Sequence, residues 1–217
     1  MPLETGNAFD PAKFFAERHP GQSVEQHRSK QTIFSQGDPA DSVYYIQEGK
    51  ITLVVISNQG KEGVLSILGP EDFFGEECLA GQDLRTLTAA SISRCSLLRF
   101  EKDALTRLLR NEPEFCQHFI SYLLAKNTRT QEDLVDQLFY SSEKRLARVL
   151  LSLARPENGG KGEHAIPWIS QQVLADKVGT TRSRVSYFMN RFREQGLIDY
   201  NGELRINISL LSAFLRD

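Results

Sequence analysis

From about Lys30 to Phe100, hydrophobic residues come in short β-branched and aromatic runs divided by turn residues. Val43-Tyr44-Tyr45-Ile46 leads into Gln47-Glu48-Gly49-Lys50, and Ile51–Ile56 ends at Asn58-Gln59-Gly60. Val64–Leu68 stops at Gly69-Pro70, and Thr88–Phe100 is again rich in β-formers. Runs of this length and spacing predict a small barrel or sandwich. The period changes near Glu112, where Pro113 suits a first helical turn because its missing N–H costs nothing there. Phe119, Leu123, Asn127, Thr130, Leu134 and Leu138 then recur at three- and four-residue steps. Such a stripe predicts a long helix serving either as a buried core element or as a dimer seam. Asn127 and Thr130 interrupt it with polar groups that burial would tolerate only with partners. Ser142–Ala154 reads as a second helix, and Pro156–Gly162 as a flexible break.

Beyond the break, Ser170 suits an N-cap, and Leu174, Ala175 and Val178 share one apolar face. Gly179 supplies the left-handed backbone of a tight turn. Thr181 caps the next predicted helix, whose inner face is Val185, Phe188, Met189 and Phe192. Two short helices about a glycine turn make a helix-turn-helix. Arg182, Ser183, Arg184 and Tyr187 project from the first turns of its second helix, the part that enters a DNA major groove. Asn201-Gly202 between two strand-like runs predicts a type I′ hairpin, which adds a wing. The same arginines would also suit a solvated helix face; the attached wing favours DNA.

Composition narrows the classes. The chain of 217 residues is 40% hydrophobic and 25% charged, ordinary for a soluble globular protein of two modest domains. Its net charge of −2 excludes coating of nucleic acid by bulk electrostatics. Any basic footprint is therefore local, as between Ile166 and Ile206, where Lys177, Arg182, Arg184, Arg191, Arg193 and Arg205 face four acids. No run is apolar enough to span a bilayer, and Met1–Gly6 does not resemble a signal peptide, so a cytoplasmic protein with no membrane association is expected. Cys78, Cys95 and Cys116 and the four histidines are scattered, which predicts neither a disulfide framework nor a metal site. No nucleophile elbow or phosphate-binding Gly-rich loop is present, and an enzyme is not expected.

Asp72–Thr86 carries the remaining chemistry. Gly75 lets the backbone approach a ligand closely, and free N–H groups at a short helix attract an anion. Arg85 offers a fork-shaped cation for phosphate oxygens, Thr86 a hydroxyl, and Glu76 an acceptor for a ribose hydroxyl. A structural Glu76–Arg85 ion pair fits the same residues equally well.

The order of segments, with Phe74-Gly75-Glu76 and Arg85-Thr86, the Ser142–Ala154 helix and Val178–Ile198, resembles the cyclic-AMP receptor/fumarate-nitrate regulator (CRP/FNR) family over nearly everything after Lys30. The resemblance implies an α+β architecture. An N-terminal segment (1–28) precedes an effector-binding β-roll of jelly-roll type (29–110), a dimerisation helix (111–140) and a winged helix-turn-helix (141–217). It implies a homodimeric, sequence-specific regulator that reads a pseudo-palindrome in double-stranded DNA and contacts RNA polymerase, with cyclic AMP or a related small effector in the roll. Gly75, Glu76, Arg85 and Thr86 match the nucleotide-holding cassette, and Thr130 and Gln131 fall where the dimer helix meets the base. Ser170, Gln171, Thr181 and Arg182 match DNA-contacting positions, with Ser183, Arg184 and Tyr187 beside them; Phe119, Leu123, Leu134 and Leu138 would form the seam. Arg85→Ala is expected to abolish the nucleotide response with the fold intact.

Departures are equally specific. Gln131 stands where cyclic-AMP-responsive members usually carry serine, and Glu77-Cys78 replaces an apolar or small pair. Ser183, Arg184 and Tyr187 differ from the Glu, Thr and Arg that read the best-known operator. A ligand-independent regulator of the same fold remains open, as does a cyclic-nucleotide-binding module acting on a protein partner. The winged segment Ser170–Ile206 argues against the latter.

Overall fold

The structure is a computed structural model that describes residues 9–17, 19–154, 163–166, 169–200 and 203–216. The Pro156–Gly162 break and the Asn201-Gly202 turn lie outside the described residues. Two compact units divide the chain: the segment ending at Leu53 with Leu68–Thr130, and Val54–Ile67 with the segment from Gln131.

The first unit begins with α1 (Pro11–Ala16), capped by Asp10, whose carboxylate accepts from the Lys13 backbone N–H. The strands ahead of Lys102 are β1 (Gln22–His27), β2 (Thr32–Phe34), β3 (Ser42–Glu48), β4 (Ile51–Ile56), β5 (Glu62–Leu68), β6 (Phe73–Phe74), β7 (Thr88–Ser91) and β8 (Cys95–Glu101), of which most of β5 and the end of β4 fall in the Val54–Ile67 segment of the second unit. Among the described residues they form sheets ordered β1-β8-β3-β6 and β2-β7-β4-β5. β1 pairs with β8 from Gln22↔Phe100 to His27↔Cys95, so the sheet already starts within the stretch set apart above as an N-terminal segment.

Strand alternation divides the apolar residues between two cores. Tyr45, Phe73, Leu98 and Phe100 join one, and Tyr44, Ile46, Phe74 and Leu97 the other. Thus the adjacent phenylalanines of β6 serve different cores. α2 (Lys102–Asn111) and the long α3 (Pro113–Phe139) follow. α3 contributes Phe115 and Phe119 to the first core, where Phe15 of α1 also packs.

Phe119 is only 3% exposed, and Leu123 packs against the same core, so neither lies on a free seam. The expectation failed because α3 carries two neighbouring stripes. Phe115, Phe119, Tyr122, Lys126 and Arg129 face the roll, whereas Ile120, Leu124, Leu134 and Leu138 are exposed. With Asn127 and Gln131, the exposed residues follow a regular heptad.

The second unit contains α4 (Ser142–Leu153), β9 (Glu163–Ile166), α5 (Gln171–Val178), α6 (Arg182–Glu194), β10 (Ile198–Tyr200), β11 (Leu204–Asn207) and α7 (Ile208–Phe214). β10, β11 and β9 form an antiparallel sheet in that order, with Ile198 opposite Ile206. Leu146, Leu150, Leu174, Val178, Val185 and Phe192 form its buried interior. Arg145 ties three elements together by donating to the carbonyls of Val178 at 3.0 Å and Tyr140 at 3.0 Å, closing the ends of α5 and α3 against α4.

Candidate effector cassette and nucleic-acid interface

The cassette follows β6. Gly75 has φ +82° and caps a short 3-10 helix, Glu76–Ala80. A Cβ there would lie 2.7 Å from Arg85 Nη1 and 3.0 Å from the Ser42 carbonyl, so both conformation and space require glycine. Arg85 is 2% exposed. Its Nη2 donates to the Ser42 carbonyl at 2.7 Å and to Ser42 Oγ at 3.0 Å, and its Nη1 donates to the Gly75 carbonyl at 3.0 Å. The guanidinium also lies 4.2 Å over the Phe34 ring.

The Glu76–Arg85 pair allowed by the sequence does not form. Glu77 Oε1 approaches Arg85 Nη1 at 3.4 Å, while Glu76 Oε1 accepts from Lys126 Nζ at 2.6 Å. Tyr122 and Lys126 both donate to the Phe73 carbonyl, and Arg129 pairs with Asp72 at 3.5 Å. Burial pushes the Tyr122 hydroxyl well above its ordinary pKa, so it remains a donor. Two atoms of the predicted cassette, Arg85 Nε and Glu76 Oε2, are buried and have no hydrogen-bond partner. Such orphans are costly and call for a ligand or a water.

Thr86 is exposed beside Arg85, and Thr130 and Gln131 are exposed on α3. Thr130 Oγ1 donates back to the Lys126 carbonyl at 3.0 Å. Sequence reasoning missed Ser42, Phe34, Lys126 and Arg129. For the last two a signal existed: their spacing from Tyr122 places all three on one helical face.

In the second unit the helix-turn-helix is built as its local sequence dictates. Ser170 Oγ accepts from the Val173 N–H at 3.2 Å, Gly179 has φ +71°, and Thr181 Oγ1 accepts from the Arg184 N–H at 3.3 Å. Val185, Phe188, Met189 and Phe192 are buried, which turns Arg182, Ser183, Arg184 and Tyr187 outward; Tyr187 is 63% exposed. Ser170 is exposed and Gln171 half-buried at the start of α5. The Ser170 hydroxyl keeps a hydrogen to donate outward, and Thr181 Oγ1 shares a hydrogen bond of 3.1 Å with Ser183 Oγ. Other bases of the segment are engaged elsewhere: Lys177 pairs with Asp133, and Arg191 with Glu143 at 3.1 Å.

Residues 24–112 match the cyclic nucleotide-binding domain, and residues 144–214 the Crp-like helix-turn-helix domain. A CRP-like cAMP-activated global transcriptional regulator of Mycobacterium tuberculosis (strain CDC 1551 / Oshkosh) is 30% identical over 175 residues, 79% of this chain and 78% of that protein. The chain belongs to the CRP/FNR family of transcription regulators. Another relative, the cAMP-activated global transcriptional regulator CRP of Pasteurella multocida (strain Pm70), is 26% identical over 93% of this chain and 96% of its own. FixK2 from Bradyrhizobium japonicum shares the fold, with a TM-score of 0.77 at 19% identity over 88% of this chain and 96% of its own. CRP/FNR proteins are regulators rather than enzymes, and the β-sheet domain, long helix and helix-turn-helix follow that family's architecture. No described helix is long and apolar enough to cross a membrane.

Proposed function

We propose that this CRP/FNR protein works as a cytoplasmic homodimer that reads a pseudo-palindromic operator and answers to cyclic AMP or a related cyclic nucleotide. The observation that carries the reading is the exposed start of α6, where Arg182, Ser183, Arg184 and Tyr187 stand on a helix seated by four buried side chains. An arginine so placed can grip guanine O6 and N7 together. Ser170, Gln171 and Thr181 then meet backbone phosphates, which fix register without reading sequence. The exposed heptad Ile120, Leu124, Leu134 and Leu138 supports pairing of two α3 helices, with Asn127 and Gln131 as polar layers.

The unpaired Arg85 Nε and Glu76 Oε2 support a phosphate and a ribose hydroxyl as the groups completing the cassette. Thr86 is a further donor at its rim, and Thr130 and Gln131 supply α3 groups for the base. Ligand acts by population shift: it must contact one arrangement of the dimer better than the other. The favoured arrangement sets the two α6 helices about 34 Å apart, one turn of DNA. RNA polymerase is the further partner.

The test is selection of bound duplexes from a random pool in the presence of cyclic AMP. Enrichment of an inverted repeat with half-sites one turn apart is the expected result. A pool that stays random with cyclic AMP, cyclic GMP, cyclic di-GMP or no ligand sinks the reading.

A further inference from the structure

We propose that Glu77 is a built-in counter-anion of the cassette, which an incoming phosphate must displace from Arg85. This side chain thereby sets how strongly the roll responds to its effector. The inference rests on the cyclic-nucleotide reading above and deepens it.

The partners of Arg85 are not equivalent. Ser42 and Gly75 are buried, and they hold the guanidinium through two carbonyls and a hydroxyl at 2.7–3.0 Å. These contacts orient the fork and carry no formal charge. Glu77 differs on each count: it is ionisable, its side chain is 25% exposed, and its contact is longer at 3.4 Å. A phosphate arriving from solvent meets Arg85 on the side where an exchangeable carboxylate already lies. The unpaired Nε of the same guanidinium shows that the fork still has a donor to offer.

The charges around the cassette lead to the same conclusion. Lys126 is matched by Glu76, Arg129 by Asp72, and Arg85 by Glu77. An anion therefore enters a site where Lys126, Arg129 and Arg85 each already have a carboxylate. Glu76 and Asp72 are tied to α3, but Glu77 is tied to Arg85 itself, so it alone of the three competes directly for the phosphate-binding fork. An effector with one negative charge must overcome this competition, whereas removal of the Glu77 charge leaves Arg85 oriented by Ser42 and Gly75.

Calorimetric titration of the full-length dimer with cyclic AMP, in wild type, Glu77→Gln and Glu77→Ala, tests the proposal. A thermal melt of each variant verifies that it is folded. Both variants are expected to bind cyclic AMP at least about 10-fold more tightly, from removal of one carboxylate beside the arriving phosphate in a partly exposed site. Uncharged adenosine should bind all three alike, since it never contests Arg85. Folded variants that bind cyclic AMP no better than a binding wild type overturn the gate and leave the cassette in place. Failure of cyclic AMP, cyclic GMP and cyclic di-GMP to bind any of the three folded proteins removes the cassette and the gate together.

Discussion

Arg85 lies in the interior of the roll with its guanidinium divided among Ser42, Gly75 and Glu77, whereas Arg182 stands in solvent on the first turn of α6. Both belong to motifs read from the sequence as contacts to phosphate or base. Their surroundings give them different work. Arg85 is an internal strut whose remaining capacity for a ligand is an Nε and the place held by Glu77. Arg182 is held at its backbone by the Thr181-capped turn, and its side chain points outward. A motif can thus be right about residue types and still misjudge how much of a side chain is free. The Arg85 cassette is preorganised by internal bonds, and the start of α6 by apolar packing beneath exposed tips.

Substitutions sharpen this contrast. Arg85→Ala leaves two buried carbonyls and a buried hydroxyl without their donor, so a loss of about 3 kcal/mol of stability is expected. Chemical denaturation measures it, and an unchanged midpoint would contradict the strut. Arg182→Ala should leave stability within about 0.5 kcal/mol, as for a surface position. It should reduce preference for the operator by about 10- to 100-fold. Competition against a half-site with its guanine replaced reads that loss, and an unaltered ratio would remove Arg182 from direct readout.

Thr181→Ala deletes the cap that accepts from the Arg184 N–H and should cost about 1 kcal/mol. Because the cap is local, the melting temperature should fall for the second unit alone. The smallest effect concerns His118, whose pKa burial pushes down beside the Phe9 ring. A depressed histidine pKa means that the folded state binds protons less readily than the unfolded state. Its contribution is therefore present above about pH 6.5 and declines as the pH falls through that value. A shallow decline in melting temperature on acidification, flattened in His118→Gln, is the expected record.

What was legible in the sequence is what local rules govern. Ser170, Thr181 and Gly179 are the caps and turn that their side chains or backbone freedom dictate, and the apolar spacing of α6 decides which residues face out. Gly75 was singled out for close approach to a ligand, whereas its φ of +82° and the nearness of Arg85 and Ser42 are what require glycine there. Partners brought together by tertiary folding were not. Arg85 meets Ser42 across 43 positions, and Glu76 meets Lys126 across 50, so nothing local told Glu76 from Glu77 as the partner of Arg85. The α3 stripe was misread at its start because its roll-facing and exposed heptads interleave, with Phe119 of one next to Ile120 of the other. Only knowledge of where the roll sits chooses between them.

The most direct test is fluorescence anisotropy of the selected operator and a scrambled duplex of equal length, titrated at one salt concentration with and without cyclic AMP. The predicted result is tight binding of the operator, at least about 1,000-fold stronger than of the scrambled duplex, and appreciable only with cyclic AMP present. Superimposable curves for the two duplexes, with or without the nucleotide, would contradict it.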